Sequence, residues 1–247
     1  SPDATLNGAY LASQYLGKEE TIVLVGDEKL AKSWFKSKNI DTSVFEFIHA
    51  DDVISMNEHA TKALRKKPNN SISVGFNALK NKEIDVFSSA GNSGAMLVGS
   101  MFSIGPIKGV IRPSITSVLP KKNGGVGLIL DVGVNADCKP DVLFQFAILG
   151  SLFAENVYNI QKPKVGLLNI GEEKGKGNLL TQSAFQLLED NDDINFVGNV
   201  EGRDLFNDKA DVIVCDGFTG NVVLKLAESF YSLINPVSYT HLTLPTI

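Results

Sequence analysis

The run Lys164–Asn178, KVGLLNIGEEKGKGN, decides the fold class. It opens as a short apolar strand, Lys164 to Asn169, and then turns through Gly171, Gly175 and Gly177 among charged residues. Leu180, Ala184, Leu187 and Leu188 follow at helical spacing on one face. Strand, glycine-rich turn and helix in that order are the unit of an α/β sheet. Toward the N-terminus the unit recurs. Gly127 to Leu130 runs into Asp131-Val132-Gly133-Val134-Asn135, and Lys139-Pro140 opens an apolar helix from Asp141 to Val157. Toward the C-terminus, Ile194 to Val197 runs into Gly198-Asn199-Val200-Glu201-Gly202-Arg203-Asp204. Val212 to Cys215 runs into Asp216-Gly217-Phe218-Thr219-Gly220-Asn221, before a last helix that should bury Val222, Leu226, Phe230 and Leu233.

The first half is less regular. A helix is expected over Asp3 to Tyr15, strands over Thr21 to Val25 and Val44 to Ile48, and helical spacing at Leu30, Ala31, Trp34 and Phe35. Helices are expected over Glu58 to Lys66 and Ser71 to Lys80, and a strand over Asp85 to Ser89 entering Gly91-Asn92-Ser93-Gly94. The expected architecture is a three-layer α/β/α sandwich with a mostly parallel sheet, in one domain over residues 1–235. Residues 236–247 (PVSYTHLTLPTI) share no character with what precedes them and read as a foreign tail.

Composition narrows the function. With 23 basic and 28 acidic side chains the net charge is −5, which argues against general nucleic-acid binding. The only cysteines, Cys138 and Cys215, form no CxxC pair, so a reducing cytoplasm is the natural reading. His49, His59 and His241 show no metal-ligand spacing. The most apolar stretch, Val142 to Ala154, is interrupted by Gln145 and Ser151 and falls short of a membrane span.

The turns carry the chemistry. In open α/β sheets ligands sit beyond the carboxyl ends of the strands. There a helix N-terminus offers unpaired N–H groups and a positive dipole end to an anion. One glycine turn is usually only a tight connection. Five of them, after Ser89, Leu130, Asn169, Val197 and Cys215, bear Asn, Asp, Glu, Lys and Arg and argue for a shared anion site. No GxxxxGK[ST], no GxGxxG after a strand and no GxSxG is present, which disfavours nucleotide hydrolases, ordinary Rossmann dehydrogenases and serine hydrolases.

At these turns the sequence resembles the bacterial phosphate acyltransferases of phospholipid synthesis. The matching segments are ALRKKPNNSI (63–72), SAGNSGAM (89–96), LDVGVNADCKP (130–140), Gln145 with Phe146 and Ala147, GLLNIGEEKGKGN (166–178), INFVGNVEGRD (194–204) and ADVIVCDGFTGNVVLK (210–225). Val134 and Ser93 stand where the family commonly has Ala and Thr. The family pattern starts with a strand and a Gly-Gly-Asp turn before the position of Ser1 and continues after Ile234, so the chain reads as truncated at both ends. The resemblance implies a fold like that of isopropylmalate dehydrogenase and phosphotransacetylase. It implies transfer of a long-chain acyl group from acyl carrier protein to inorganic phosphate, a homodimer, and cytoplasmic placement with peripheral contact at the inner face of the membrane. No metal or organic cofactor is expected.

On that reading Asn92, Ser93 and Gly94 hold the phosphate or the acyl oxyanion, with a plain helix cap as the alternative. Lys174 and Lys176 form a basic anion loop, or else a solvated one, with Glu172 and Asn178 orienting it. Arg203 clamps phosphate, or pairs with Glu201 or Asp204. Asp216, beside Thr219 and Asn221, accepts a proton or caps a helix. Asp131, Asn135 and Asp137 form a polar rim at a strand end. Arg65, Lys66 and Lys67, with Lys62, form a basic patch for an acidic carrier protein, or a solvated helix end. Cys138 and Cys215 have no neighbouring histidine in sequence and read as small buried residues, not nucleophiles. Two other functions compete: a short-chain phosphotransacetylase-like enzyme using coenzyme A thioesters, and a non-catalytic membrane-associated scaffold.

Overall fold

The computed structural model describes residues 2–241, with side chains to residue 230. The chain divides into two compact units, Ser1–Ile107 and Lys108–Ile247, each with its own core.

The first unit is built on a βαβ step. Strand β1 (Ile22–Gly26) lies parallel to β2 (Phe45–His49), joined through α2 (Glu28–Ser37) after α1 (Pro2–Ser13). Asp27 starts α2 by accepting the Leu30 N–H at 3.0 Å. Leu6, Ala31, Phe35 and Phe45 form the core between them. Helices α3 (Ala60–Lys66), α4 (Ser71–Lys80) and α5 (Ser93–Ser103) follow, with Ile72, Phe76 and Ala95 buried between α4 and α5.

The second unit carries a five-stranded sheet in the order β3-β4-β7-β5-β6. Its elements are β3 (Thr116–Pro120), β4 (Val126–Leu130), α6 (Pro140–Tyr158), β5 (Val165–Leu168), α7 (Leu179–Glu189), β6 (Phe196–Val200), the one-turn 3-10 helix Gly202–Asp204, β7 (Val212–Val214) and α8 (Gly217–His241). β4, β7, β5 and β6 run parallel and β3 antiparallel at the edge. Alternation of side chains along the strands divides the core in two. Leu128, Leu130, Val165, Leu167, Val212 and Val214 face α6 and α7 with Leu143, Phe146, Ala147, Ala184 and Leu188. Ile129, Leu168, Ile213 and Cys215 face the other way, where Val223 and Leu224 of α8 pack. The result is helix, sheet and helix in three layers, as the strand-turn-helix rhythm predicts. Each fully buried Leu or Phe in these layers contributes about 1.5–3 kcal/mol. Pro140 at the first turn of α6 and Asn159 at its end, with φ 56°, mark the limits of that helix.

Three expectations need correction. Residues Asp85–Ser89 form no strand: they find no ladder partner among the described residues, and Val86 is left 80% exposed while only Phe87 packs, edge-on to Phe76. The apolar period of α8 does not mark a buried face. Val222, Leu226 and Phe230 are exposed, and the adjacent Val223 and Leu224 meet the sheet; the Leu233 side chain lies outside the described residues. Helix α8 also runs to His241, through the first half of the segment expected to lack helical character, and residues 242–247 lie outside the described residues. β3 is an edge strand that the sequence reading omitted.

Candidate functional site

Four of the five glycine-rich turns leave neighbouring parallel strands in the same direction, so they share the carboxyl edge of the second unit's sheet; the one expected after Val197 begins only at Glu201, because Gly198, Asn199 and Val200 belong to β6. The fifth, before α5, belongs to the first unit.

Asp131 directly follows β4 and is fully buried. Its Oδ1 accepts the Ile115 N–H at 3.0 Å, and its Oδ2 accepts the N–H and side-chain amide of Asn135 at 2.6 and 2.8 Å. Asn135 Nδ2 also donates to the Pro113 carbonyl at 2.8 Å, and the Asn135 carbonyl accepts the Gly217 N–H at 2.8 Å. Asp131 and Asn135 are therefore spent on each other and shape the turn from inside. The first turn of α8 lies directly on them, because a Cβ on Gly220 would collide with the Asp131 carbonyl oxygen. Asp216 caps that helix: Oδ1 accepts the Thr219 N–H at 2.9 Å and Oδ2 the Thr219 hydroxyl at 2.8 Å. Asn221 is exposed beside Gly133.

The loop after β5 is held from within and open outside. Asn178 caps α7 by accepting the Thr181 N–H at 3.0 Å. Lys174 pairs with Glu189 of α7 and lies over the Phe185 ring, 5.9 Å from its centre. Lys176 is exposed and has no ion pair among the described residues. Glu172 orients neither lysine. It accepts from Lys209 at 2.8 Å and from Arg203 at 3.3 Å, while Arg203 Nε meets Glu201 at 2.8 Å. The hydrogen bond from Lys209, with its charge, holds the Glu172 carboxyl below its ordinary 4.5. Burial pushes Asp204 the other way, but hydrogen bonds from the Glu201 N–H, Asn207 and Lys209 outweigh it and hold that carboxyl below 3.8. Lys209 in turn is raised above 10.5: desolvation opposes the shift and Glu172 and Asp204 overcome it. Asn169, Gln182, Asn199 and Lys209 are participants that the sequence reading missed; their partners lie 5 to 37 residues away and follow no spacing rule.

A recess of about 340 Å³ opens between these turns, lined by Ala136, Asp137, Cys138, Asn178, Leu180, Asp216, Phe218 and Thr219. Desolvation pushes the half-buried Cys138 thiol up to about 11, and raises the buried Cys215 further. Neither is a thiolate at neutral pH. A larger recess of about 880 Å³ runs along α7 and β6; Glu155, Glu189, Asp192 and Asp193 outweigh its lysines, so it repels an anion.

In the first unit, Asn92 caps α5. Its Oδ1 accepts the Ala95 N–H at 3.0 Å, and its Nδ2 reaches the carbonyls of Ser55, Met56 and Glu58, each at 3.1 Å. The side chain is spent, but Ser93 and Gly94 are exposed and their N–H groups open the helix. Lys67 is also spent, on both Glu58 oxygens at 2.8 Å and the Val53 carbonyl at 2.7 Å. Arg65 and Lys66 are exposed on α3. No group of His, Cys, Asp and Glu among the described residues is placed to hold a metal ion.

Solved structures with this arrangement of elements include a phosphotransacetylase from Streptococcus pyogenes (TM-score 0.65, 14% identity, 93% of this chain and 87% of that one). Another is the EutD phosphotransacetylase from Staphylococcus aureus (TM-score 0.59, 18% identity, 86% and 74%). At those identities the likeness is one of fold: the chain is an α/β protein whose arrangement of elements is shared with phosphotransacetylase structures. Sequence carries it further. Residues 1–242 match the family described as "Fatty acid synthesis protein". The phosphate acyltransferase of Acetivibrio thermocellus is 46% identical over 247 residues, covering 98% of this chain and 72% of that protein. That of Halothermothrix orenii is 46% identical over 235 residues, covering 95% and 70%. The chain belongs to the phosphate acyltransferase family.

Proposed function

We propose that the chain transfers a long-chain acyl group from acyl carrier protein to inorganic phosphate, giving acyl phosphate for phospholipid synthesis. An oxygen of hydrogen phosphate attacks the thioester carbonyl carbon. A C–O bond forms, the tetrahedral oxyanion collapses with loss of the C–S bond, and the phosphate's proton ends on the carrier thiol. Such a reaction needs an oriented dianion and stabilised charge, not a protein nucleophile. The carrying observation is Lys176, a cation without an acidic partner among the described residues, on a glycine-rich loop running into the N-terminus of α7. The adjoining recess holds Asp137 and Asp216 and no cation. The phosphate therefore sits on its rim, at Lys176 and the first turn of α7 beside Asn178. Lys174 and Arg203, both already paired, support the loop. Asp216 acts as a cap and not as a base. Within the first unit, Ser93 and Gly94 offer N–H groups of their own to an anion.

The basic residues Arg65 and Lys66, with Lys62, supply the carrier-docking patch; Lys67 instead holds the loop that begins at Val53. A homodimer and peripheral contact with the inner face of the membrane complete the reading. No helix among the described residues is long and apolar enough to cross a membrane.

The test is product analysis with hydroxylamine trapping. Long-chain acyl-acyl carrier protein plus phosphate should give one acyl hydroxamate per carrier thiol released. Acetyl-coenzyme A should give little. The reverse preference would make the chain a short-chain phosphotransacetylase-like enzyme, and no turnover of either donor would favour a scaffold.

A further inference from the structure

Strand β6 carries one residue more than its neighbour. Val165 stands opposite Phe196 and Leu167 opposite Asn199, so two steps along β5 match three along β6. Gly198, at φ 91°, lies in this irregular stretch, in the left-handed region that glycine enters at little cost. A bulge of this kind re-aims the side chain after it. In a regular one-to-one register from the Val165–Phe196 pair, Asn199 would stand opposite Leu168 and face the other side of the sheet. With it, Asn199 is buried beside the glycine-rich loop.

There its Nδ2 donates to the Glu173 carbonyl at 2.9 Å, and its Oδ1 accepts from Asn169 Nδ2 at 3.1 Å. Asn169 Nδ2 also donates to the Lys176 carbonyl at 3.1 Å. From α7, Gln182 Nε2 reaches the carbonyls of Gly175 and Gly177 at 2.9 and 3.1 Å. Three amide side chains thus engage four of the five carbonyl oxygens from Glu173 to Gly177, all but that of Lys174. In a trans peptide the N–H points opposite to the C=O. The N–H groups of Lys174, Gly177 and Asn178 are thereby directed away from the amides, and Lys176 is carried on the outer side.

We propose that Asn199 is a positioning residue for phosphate, acting through the loop with Asn169 and Gln182. The proposal rests on the reading that this loop binds the substrate phosphate. It is tested in the intact chain by steady-state kinetics with inorganic phosphate and long-chain acyl-acyl carrier protein, alongside thermal unfolding with and without phosphate. Asn199→Asp keeps the acceptor for Asn169 and loses the donor to Glu173. Its phosphate KM should rise on the order of ten-fold, with the carrier KM unchanged and phosphate-induced stabilisation weakened. Gln182→Leu alters an exposed side chain and should raise the phosphate KM by about three-fold at an unchanged Tm. An unaltered phosphate KM in folded Asn199→Asp overturns the proposal, as does an equal rise in both KM values. If Asn199→Asp does not fold, an unaltered phosphate KM in Gln182→Leu overturns it. Unaltered variants of a phosphate-dependent wild type remove this proposal alone; a wild type indifferent to phosphate removes the functional reading as well.

Discussion

Lys174 and Lys176 stand two residues apart in one loop and have different surroundings. Lys174 is occupied by Glu189 and the Phe185 ring, whereas Lys176 has no acidic partner among the described residues. A cation already paired has less to offer an incoming dianion, and a charged hydrogen bond is worth about 1.5–3 kcal/mol. Lys176→Met should therefore raise the phosphate KM by about ten-fold or more, and Lys174→Met by less than about three-fold. Steady-state rates against phosphate concentration check this; equal effects would mean that the Lys174–Glu189 pair opens when substrate binds. The same distinction separates Lys67 from its neighbours, since Glu58 and Val53 hold it while Arg65 and Lys66 remain exposed. Neighbours in sequence thus divide into those that build the loop and those that face outward. Residue type alone does not separate them.

At the scale of elements, the glycine-rich loop and the 3-10 helix Gly202–Asp204 are tied by Glu172, Lys209, Arg203 and Asp204. Glu172 and Asp204 have folded pKa values held below 4.5 and 3.8. Depressed carboxylates contribute stability that is present above those ordinary values and is lost as pH falls through the folded ones. Lys209, raised above 10.5, contributes below that value and loses its contribution as pH rises through the folded one. The tie is complete across the neutral range. Tm should fall as pH drops below about 4, and Lys209→Met should lower Tm at neutral pH and flatten that acid limb. Parallel Tm profiles for the two proteins would show that the tie does not contribute. The glycine-rich turns were legible in the sequence because strand, turn and helix follow one another directly along the chain. The clamps were not. Asn92 reaches the Ser55 carbonyl and Asn199 reaches Glu173, contacts that depend on folding and, for Asn199, on a bulge. Helix α8 shows the converse limit: its apolar period was visible, but periodicity does not say which stripe meets the sheet.

At the scale of the molecule, the carboxyl edge of a parallel sheet gathers four turns, and their inward-facing groups are nearly all committed. Asp131 with Asn135, Asp216 with Thr219, and Asn199 with Asn169 each satisfy one another. Among the exposed cations of these turns, Lys176 has no acidic partner among the described residues, and on it the proposed phosphate site rests. The cysteines near this edge are protonated, with Cys138 at about 11 and Cys215 higher still. On the proposed mechanism, phosphate itself attacks the thioester and no acyl group is carried on the protein. The most direct measurement is rapid-mixing release of carrier thiol from long-chain acyl-acyl carrier protein, first without phosphate and then with it. No burst without phosphate, and release that saturates with phosphate, is the predicted result. A burst approaching one thiol per chain before phosphate is added would reveal an acyl-enzyme and contradict direct attack.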